Sequence, residues 1–299
     1  MISENSINEI KASVVTYDVV SSFISLKKKG ADFIACCPYH TEKSPSFSVS
    51  PSKNIYKCFG CGKSGDGITF LMEHEKMDFI DALKWIAAKN NITIEEVGNR
   101  KQVTKPIPRL EKLSPETIDW FEKHRGISNN TLLRFGITEC MEWMPKAQAS
   151  VKTICFNYFK NEQLVNIKYR AKNKDFKLVK DAELIFYNLD AIKDEDTVYI
   201  TEGEIDAMSL YEIGVYNVVS VPNGAAVSGT QKLEYLDNCY KYFTAKTKIV
   251  LMVDNDVAGM KLRDELARRL GYSKCWVVTY FNGCKDANEV LVKHGKAAL

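Results

Sequence analysis

Apolar residues return at helical spacing at the start of the chain. Ile7, Ile10, Val14, Val15 and Val19 form one stripe, which predicts a helix. Lys27-Lys28-Lys29-Gly30 supplies basic residues for its last turn and a glycine just beyond. The period then shortens to two, and "DFIAC", "SFSVS" and "NIYKC" predict short strands. A further helix is predicted from about Asp78, with Phe79, Leu83, Ile86 and Ala87 on one face. Residues 98–112, "GNRKQVTKPIPRLEK", combine two prolines with several cations and few apolar positions, so they predict a linker after a first domain at 1–97.

Past the linker, Ser114 can cap a helix that has Pro115 at its first position, and Gly126 can end it. Ser128 or Asn129 can cap the next one. "TICFNYF" and "LVNIKYR" predict paired strands. From Asp196 onward strand and helix patterns alternate: "TVYIT", "EIDAMSLYEIG", "VVSV", a helix near 230–243, "KIVLMVD", "AGMKLRDELARRLG" and "CWVVTY". Such alternation predicts a parallel sheet covered on both faces. The fold class is therefore multi-domain, α+β followed by α/β, with a middle segment at 113–195 and an α/β segment at 196–299.

Composition adds compartment and charge. The chain has 299 residues, 45% hydrophobic and 26% charged, in the range of a soluble globular protein of two or three domains. Met1-Ile2-Ser3-Glu4 leads into no secretory signal, and no apolar run reaches membrane-spanning length, so no membrane association is expected. Nine cysteines, most without a partner at metal-like spacing, suit a reducing cytoplasm. The net charge of +3 conceals a segregation. Residues 1–98 carry 11 Lys and Arg against 12 Asp and Glu; residues 99–180 carry 17 against 8; residues 181–299 carry 13 against 18. A basic middle beside an acidic end suits a polyanion held next to bound cations, and equally a solvated lysine-rich surface.

Gly62-Lys63-Ser64 mimics the end of a phosphate-binding loop. The glycine such a loop needs five positions earlier is Lys57, which excludes it. Cys37-Pro-Tyr-His40 and Cys58-Phe-Gly-Cys61 are instead two ligand pairs with two-residue gaps, and three thiolates with an imidazole make a closed tetrahedral set for one structural zinc. Gly60 and Gly62 are expected to supply positive φ in the knuckle. Cys36 competes with Cys37, but the Cys-x-x-His spacing favours Cys37. Lys43, Phe47, Tyr56, Lys57 and Phe59 place cations beside aromatics on strands, as contact with single-stranded nucleic acid requires. Burial in the small core is the alternative for the aromatics.

The α/β segment carries its acids at strand ends. Glu202 follows "VYIT" with Gly203 after it; Asp254 and Asp256 follow "KIVLMV" with Gly259 next. Ligands of open parallel sheets gather outside the carboxyl ends of strands. Three acids there repel one another unless divalent cations neutralise them, and two such cations suit phosphoryl transfer. Lys168, Arg170 and Lys172 alternate along a strand and, with Lys174 and Lys177, are expected to bind phosphate groups; a lysine-guarded edge strand is the alternative.

The "PYHTEKSPSF" and "YKCFGCGKSGD" blocks resemble the zinc-binding domain of bacterial replicative primases over nearly all of residues 1–95. That resemblance implies a zinc ribbon reading a short template sequence. The glutamate–glycine strand end with Asp-x-Asp-x-x-Gly resembles the Toprim domain over about 196–290. "RGISNNTLLRFGI", "NIKYRAKNKDFK", "SVPNGA" and "KDANEVL" resemble the primase half of phage primase–helicases and of Twinkle. Together they imply an RNA-polymerase domain with Glu202, Asp254 and Asp256 as catalytic metal ligands. They further imply Asp206 and Asp286 as assisting acids, two or more Mg2+ or Mn2+ ions, and a nucleotide role for Asn223. Ribonucleoside triphosphates, a single-stranded DNA template and a replicative helicase, on a separate chain or a further domain, are the implied partners. The expected activity is primer synthesis; a Toprim nuclease or a non-catalytic DNA-binding module are the alternatives. With no phosphate-binding loop in this sequence, a monomer without helicase ATPase is expected.

Overall fold

The computed structural model describes residues 2–95, 103–108, 111–225, 233–280 and 283–299. It divides into two compact units, Met1–Arg100 with Glu265–Cys275, and Lys101–Asp264 with Trp276–Leu299. Of the expected linker, residues 98–102, 109 and 110 lie outside the described residues, while 103–108 form neither helix nor strand.

The first unit holds a five-stranded sheet in sequence order: Lys27–Lys29, Asp32–Ala35, Phe47–Ser50, Ile55–Cys58 and Ser64–Gly65. Every neighbouring pair is antiparallel. The expected N-terminal helix is broken in two, Glu4–Ser13 and Thr16–Ser21, and Lys27–Lys29 is an edge strand rather than a helix end. The cause lies 40 residues away: the Asn54 amide donates to the Val14 carbonyl at 2.7 Å and accepts the Thr16 N–H at 2.7 Å. Those bonds hold two β-branched valines extended between the helices, where their stiff side chains are most at ease. Helix Gly67–His74 was not expected. Its first six residues are buried, so it shows no amphipathic stripe.

The second unit contains the antiparallel sheet Thr138–Met144, Ala149–Lys160, Gln163–Ala171 and Phe176–Leu178, paired in that order. The other four-stranded sheet has the order Val218–Ser220, Thr197–Thr201, Lys248–Met252, Cys275–Val277. Its first three strands run parallel, as the alternating pattern predicts. Thr201 lies opposite Met252 in that register, so the chain leaves both central strands at the same edge. Ser114 and Ser128 cap helices Pro115–Arg125 and Asn129–Arg134, which settles the choice between Ser128 and Asn129. Residues 230–232 of the expected helix near 230–243 lie outside the described residues; Glu234–Cys239 is helical. Among the described residues no helix is long and apolar enough to cross a membrane.

Candidate functional site

In the first unit the ligand atoms of Cys37, His40, Cys58 and Cys61 all lie within 4.8 Å of one another. The Cys37 and Cys61 sulfurs are 3.9 Å apart, and the Cys58 sulfur is 3.8 Å from His40 Nδ1. A tetrahedron with metal–sulfur bonds of about 2.3 Å has edges of about 3.8 Å, so the four atoms fit one zinc ion. Backbone N–H groups of Gly60 and Cys61 donate to the Cys58 sulfur at 3.3 and 3.4 Å, and the Ser46 hydroxyl lies 3.2 Å from it. Burial pushes the Cys58 thiol up, but those three donors bring it down to about 6, in favour of the thiolate that zinc requires. The Glu42 carboxylate reaches His40 Nε2 at 3.2 Å and orients the ring. Gly62 has φ +80°, as expected; Gly60 does not have positive φ and is required for a different reason. A Cβ on Gly60 would lie 2.7 Å from His40 Nε2 and 2.8 Å from the Ser46 hydroxyl, inside the site.

The neighbouring aromatics part company. Phe47 and Tyr56 are fully buried and stack at 5.2 Å, with Phe70 edge-on to Tyr56 at 5.8 Å. The expectation that Tyr56 meets nucleic acid is therefore corrected: its ring is core, because alternation along Ile55–Cys58 turns it inward with Cys58. Lys57 and Lys43 are exposed, and Phe59 is 73% exposed with the Lys57 ammonium 5.5 Å from its ring centre.

In the second unit a cleft of about 600 Å³ opens at the carboxyl edge of the parallel sheet. Glu202, Asp206, Asn223, Asp254 and Asp286 line it, as do Lys168, Arg170, Lys174 and Lys177. The turn carrying the aspartates is tight: a Cβ on Gly259 would lie 2.1 Å from the Asp254 carbonyl oxygen, so only glycine fits there. The Glu202 carboxylate accepts the Asp254 N–H at 3.2 Å and the Ala225 N–H at 3.0 Å, tying the two strand ends together. Burial raises the pKa of Glu202, and Asp254 raises it further. Asp206 is buried and held well above the usual carboxylate range, by burial first and by Asp286 second; it accepts the Asn288 N–H at 2.9 Å. Asp286 caps helix Ala287–His294 through the Glu289 N–H at 2.7 Å. Hard carboxylate oxygens at this edge suit magnesium or manganese, but among the described residues no group of acids is gathered as closely as the zinc ligands.

Three participants were not singled out from the sequence. Lys285 bridges the aspartates, its ammonium 2.7 Å from Asp254 Oδ2 and 3.2 Å from Asp256 Oδ2. Its position beside Asp286 in "KDANEVL" was the available signal. Glu204, two residues beyond Glu202, is buried and accepts from the Tyr158 hydroxyl at 2.5 Å and from Lys168 at 2.7 Å. Trp120 lies 4.7 Å from the Arg170 guanidinium and 5.2 Å from that of Arg125. Lys172 falls beyond the end of its strand and lines an adjoining groove of about 740 Å³ with Trp120, Lys152, Arg170 and Lys174, not the acidic cleft itself. The shared face expected for Lys168, Arg170 and Lys172 thus holds for the first two only, because the strand ends at Ala171.

A parallel sheet with a glutamate and an Asp-x-Asp pair at one edge, joined to a zinc ribbon, defines the class. The chain matches the CHC2 zinc finger family over residues 2–102 and the Toprim-like family over residues 199–291, and it is a zinc-ribbon and Toprim protein. By sequence it is similar to bacterial DNA primases. The DNA primase of Clostridium acetobutylicum is 29% identical over 358 residues, an alignment covering 100% of this chain and 58% of that protein. The chloroplastic and mitochondrial Twinkle homolog protein of Arabidopsis thaliana is 32% identical over 277 residues, covering 86% of this chain and 36% of that protein. The crystal structure of the primase fragment of the bacteriophage T7 primase-helicase protein shares the fold, with a TM-score of 0.50 and 23% identity over 88% of this chain and 95% of that one. The chain spans little more than half the length of the bacterial primase it matches.

Proposed function

We propose that the protein is a DNA primase, a nucleotidyltransferase that joins ribonucleotides on a single-stranded DNA template. The observation that supports this most directly is the cleft lined by Glu202 and Asp254 from one sheet edge and by Lys168, Arg170, Lys174 and Lys177, with Asp256 just outside the lining and joined to it through Lys285. Acids on one wall and cations on the other suit a triphosphate and its counter-ions. Magnesium or manganese on those acids, when bound, would lower the pKa of an attacking hydroxyl and neutralise charge on the phosphate. The chain's own contributions are distinct. Glu202, Asp254 and Asp256 hold the ions, with Asp206 and Asp286 beside them. The basic wall and Asn223 orient the triphosphate so that a terminal 3′-hydroxyl attacks the α-phosphate and pyrophosphate leaves. Cys37, His40, Cys58 and Cys61 hold one zinc ion, and Lys43, Lys57 and Phe59 on the ribbon contact the template. We further propose a cytoplasmic monomer working with a replicative helicase, as the likeness to primase-helicase and Twinkle proteins suggests.

The test uses labelled ribonucleotides with Mg2+ or Mn2+ on a randomised single-stranded template. Glu202→Gln and Asp254→Asn are each expected to lower synthesis by about 10²-fold or more while DNA binding persists. Synthesis at the wild-type rate in either variant would remove the metal assignment. Nicking of plasmid DNA without any ribonucleotide product would favour a Toprim nuclease.

A further inference from the structure

Lys285 is placed with unusual definition for a half-exposed lysine. Its carbonyl accepts the Asn255 N–H at 2.9 Å, and its own N–H donates to Glu289 Oε2 at 3.1 Å. Asp286, the next residue, is fixed as a helix cap. This backbone anchoring aims the side chain back between Asp254 and Asp256, which its ammonium bridges. The other cleft lysines with ion pairs are committed elsewhere: Lys168 to Glu204, and Lys177 to Glu142 at 2.6 Å. Two aspartates held apart by a tight turn leave room for one cation between them, and here that cation is the protein's own.

We propose that Lys285 is a built-in counter-ion of the cleft. Its ammonium lies at the position between Asp254 and Asp256 that a divalent cation would take, and it therefore sets metal affinity by competition. The inference rests on the reading of these acids as a divalent-metal site. Physically, bare carboxylates at this edge repel, and a single positive charge relieves part of that repulsion without any ligand. A divalent ion gains more from both oxygens than the ammonium does. The ammonium has a flexible stem and is 49% exposed, so it can leave for solvent at small cost. Competition of this kind relieves the repulsion between the acids and keeps metal entry reversible.

Manganese binding to the full chain, with its zinc retained, tests this through the electron paramagnetic resonance signal of free Mn2+. Lys285→Met is expected to tighten Mn2+ binding about tenfold, an effect scaled to a partly screened pair of close charges. Lys174→Met removes the same charge from the same cleft without touching either aspartate, and is expected to change binding less than about twofold, which separates displacement from a general field. By linkage, saturating Mn2+ should raise the melting temperature more in Lys285→Met than in wild type. Unchanged or weaker Mn2+ binding in Lys285→Met, or an equal effect from Lys174→Met, overturns the inference while leaving the metal site in place. Mn2+ binding that survives Asp254→Asn overturns the metal reading itself, and the role of Lys285 falls with it.

Discussion

The thiol–imidazole cluster of the ribbon and the acidic cleft are built on opposite plans. The ribbon draws four ligand atoms to within 4.8 Å of one another from two short knuckles, whereas the cleft takes its acids from three loops between residues 202 and 286 and leaves a lysine among them. Ligand chemistry explains the contrast. Burial pushes the Cys37 thiol up to about 12 while N–H and hydroxyl donors hold Cys58 down at about 6, so a neutral thiol sits beside a thiolate and the two can pack closely. Carboxylates ionise at neutral pH and cannot crowd without a counter-charge. A closed set suits an ion that stays; an open one suits ions that must admit substrate. The lesson is that ligand type already divides scaffold from chemistry.

Breaking the closed site has the largest expected effect. Structural zinc contributes an apparent binding free energy of about 10–16 kcal/mol, comparable to the stability of a whole small domain. Cys58→Ser is expected to lose zinc and melt the strands around residues 37–61. The acidic cleft should still bind Mn2+. Zinc content, together with hydrogen exchange resolved along the chain, checks both halves; zinc-free wild type with a folded ribbon would refute the scaffold role.

Within the same unit, Tyr56→Ala should approach that outcome without touching a ligand. Removing a fully buried aromatic costs about 3–5 kcal/mol, and here it also removes the stack on Phe47. Ribbon amides should lose protection against hydrogen exchange while zinc stoichiometry at saturating zinc stays at one.

How much of this was legible in the sequence follows from distance along the chain. The zinc ligands were readable because each pair is local and its spacing is itself the geometry. Glu202, Asp254 and Asp256 were readable because a strand followed by a glycine turn places them without tertiary information. Lys285 and Glu204 were not, since their partners are set by how loops fold onto the sheet edge. The break after Val14 depends on Asn54, and helix Gly67–His74 is buried on all sides, so no period betrays it. Tyr56 and Phe59 have the same composition signal, and only their place relative to the strand separates them.

A charge network without metal sharpens the comparison from the side of the cleft. Glu212, on the helix that follows Glu202, accepts the Ser128 N–H at 2.7 Å, the Ser128 hydroxyl at 2.6 Å and the Thr131 hydroxyl at 2.5 Å, and pairs with Lys296 at 2.7 Å. Burial alone would raise its pKa, but Lys296 and these donors hold it down to about 2. A depressed carboxylate stabilises the fold above its unfolded pKa of about 4.3, and that contribution is lost as pH falls from there toward about 2. Glu212→Gln should cost about 1–3 kcal/mol at neutral pH, seen as faster exchange at residues 129–134, and should flatten the acid limb of the stability profile. A variant with the wild-type acid limb would show that other carboxylates carry it.

The smallest effect on stability tests what the closed site is for. Phe59 stands outside the ribbon core at the tip of the zinc knuckle, with Lys57 beside it and its N–H bonded to the Ser46 carbonyl at 2.9 Å. Its ring buries little, so Phe59→Ala should leave zinc content intact and change stability by no more than about 0.5 kcal/mol. If the ribbon presents this ring to unstacked bases, the same change should weaken binding to single-stranded DNA by about 1–3 kcal/mol, with the salt dependence unaltered because no cation is removed. Lys57→Ala should do the reverse, reducing the salt slope by about one phosphate contact. Fluorescence anisotropy at several salt concentrations distinguishes them. Should Phe59→Ala bind as wild type does, the exposed ring is no platform, and template contact must be sought on another face of the sheet.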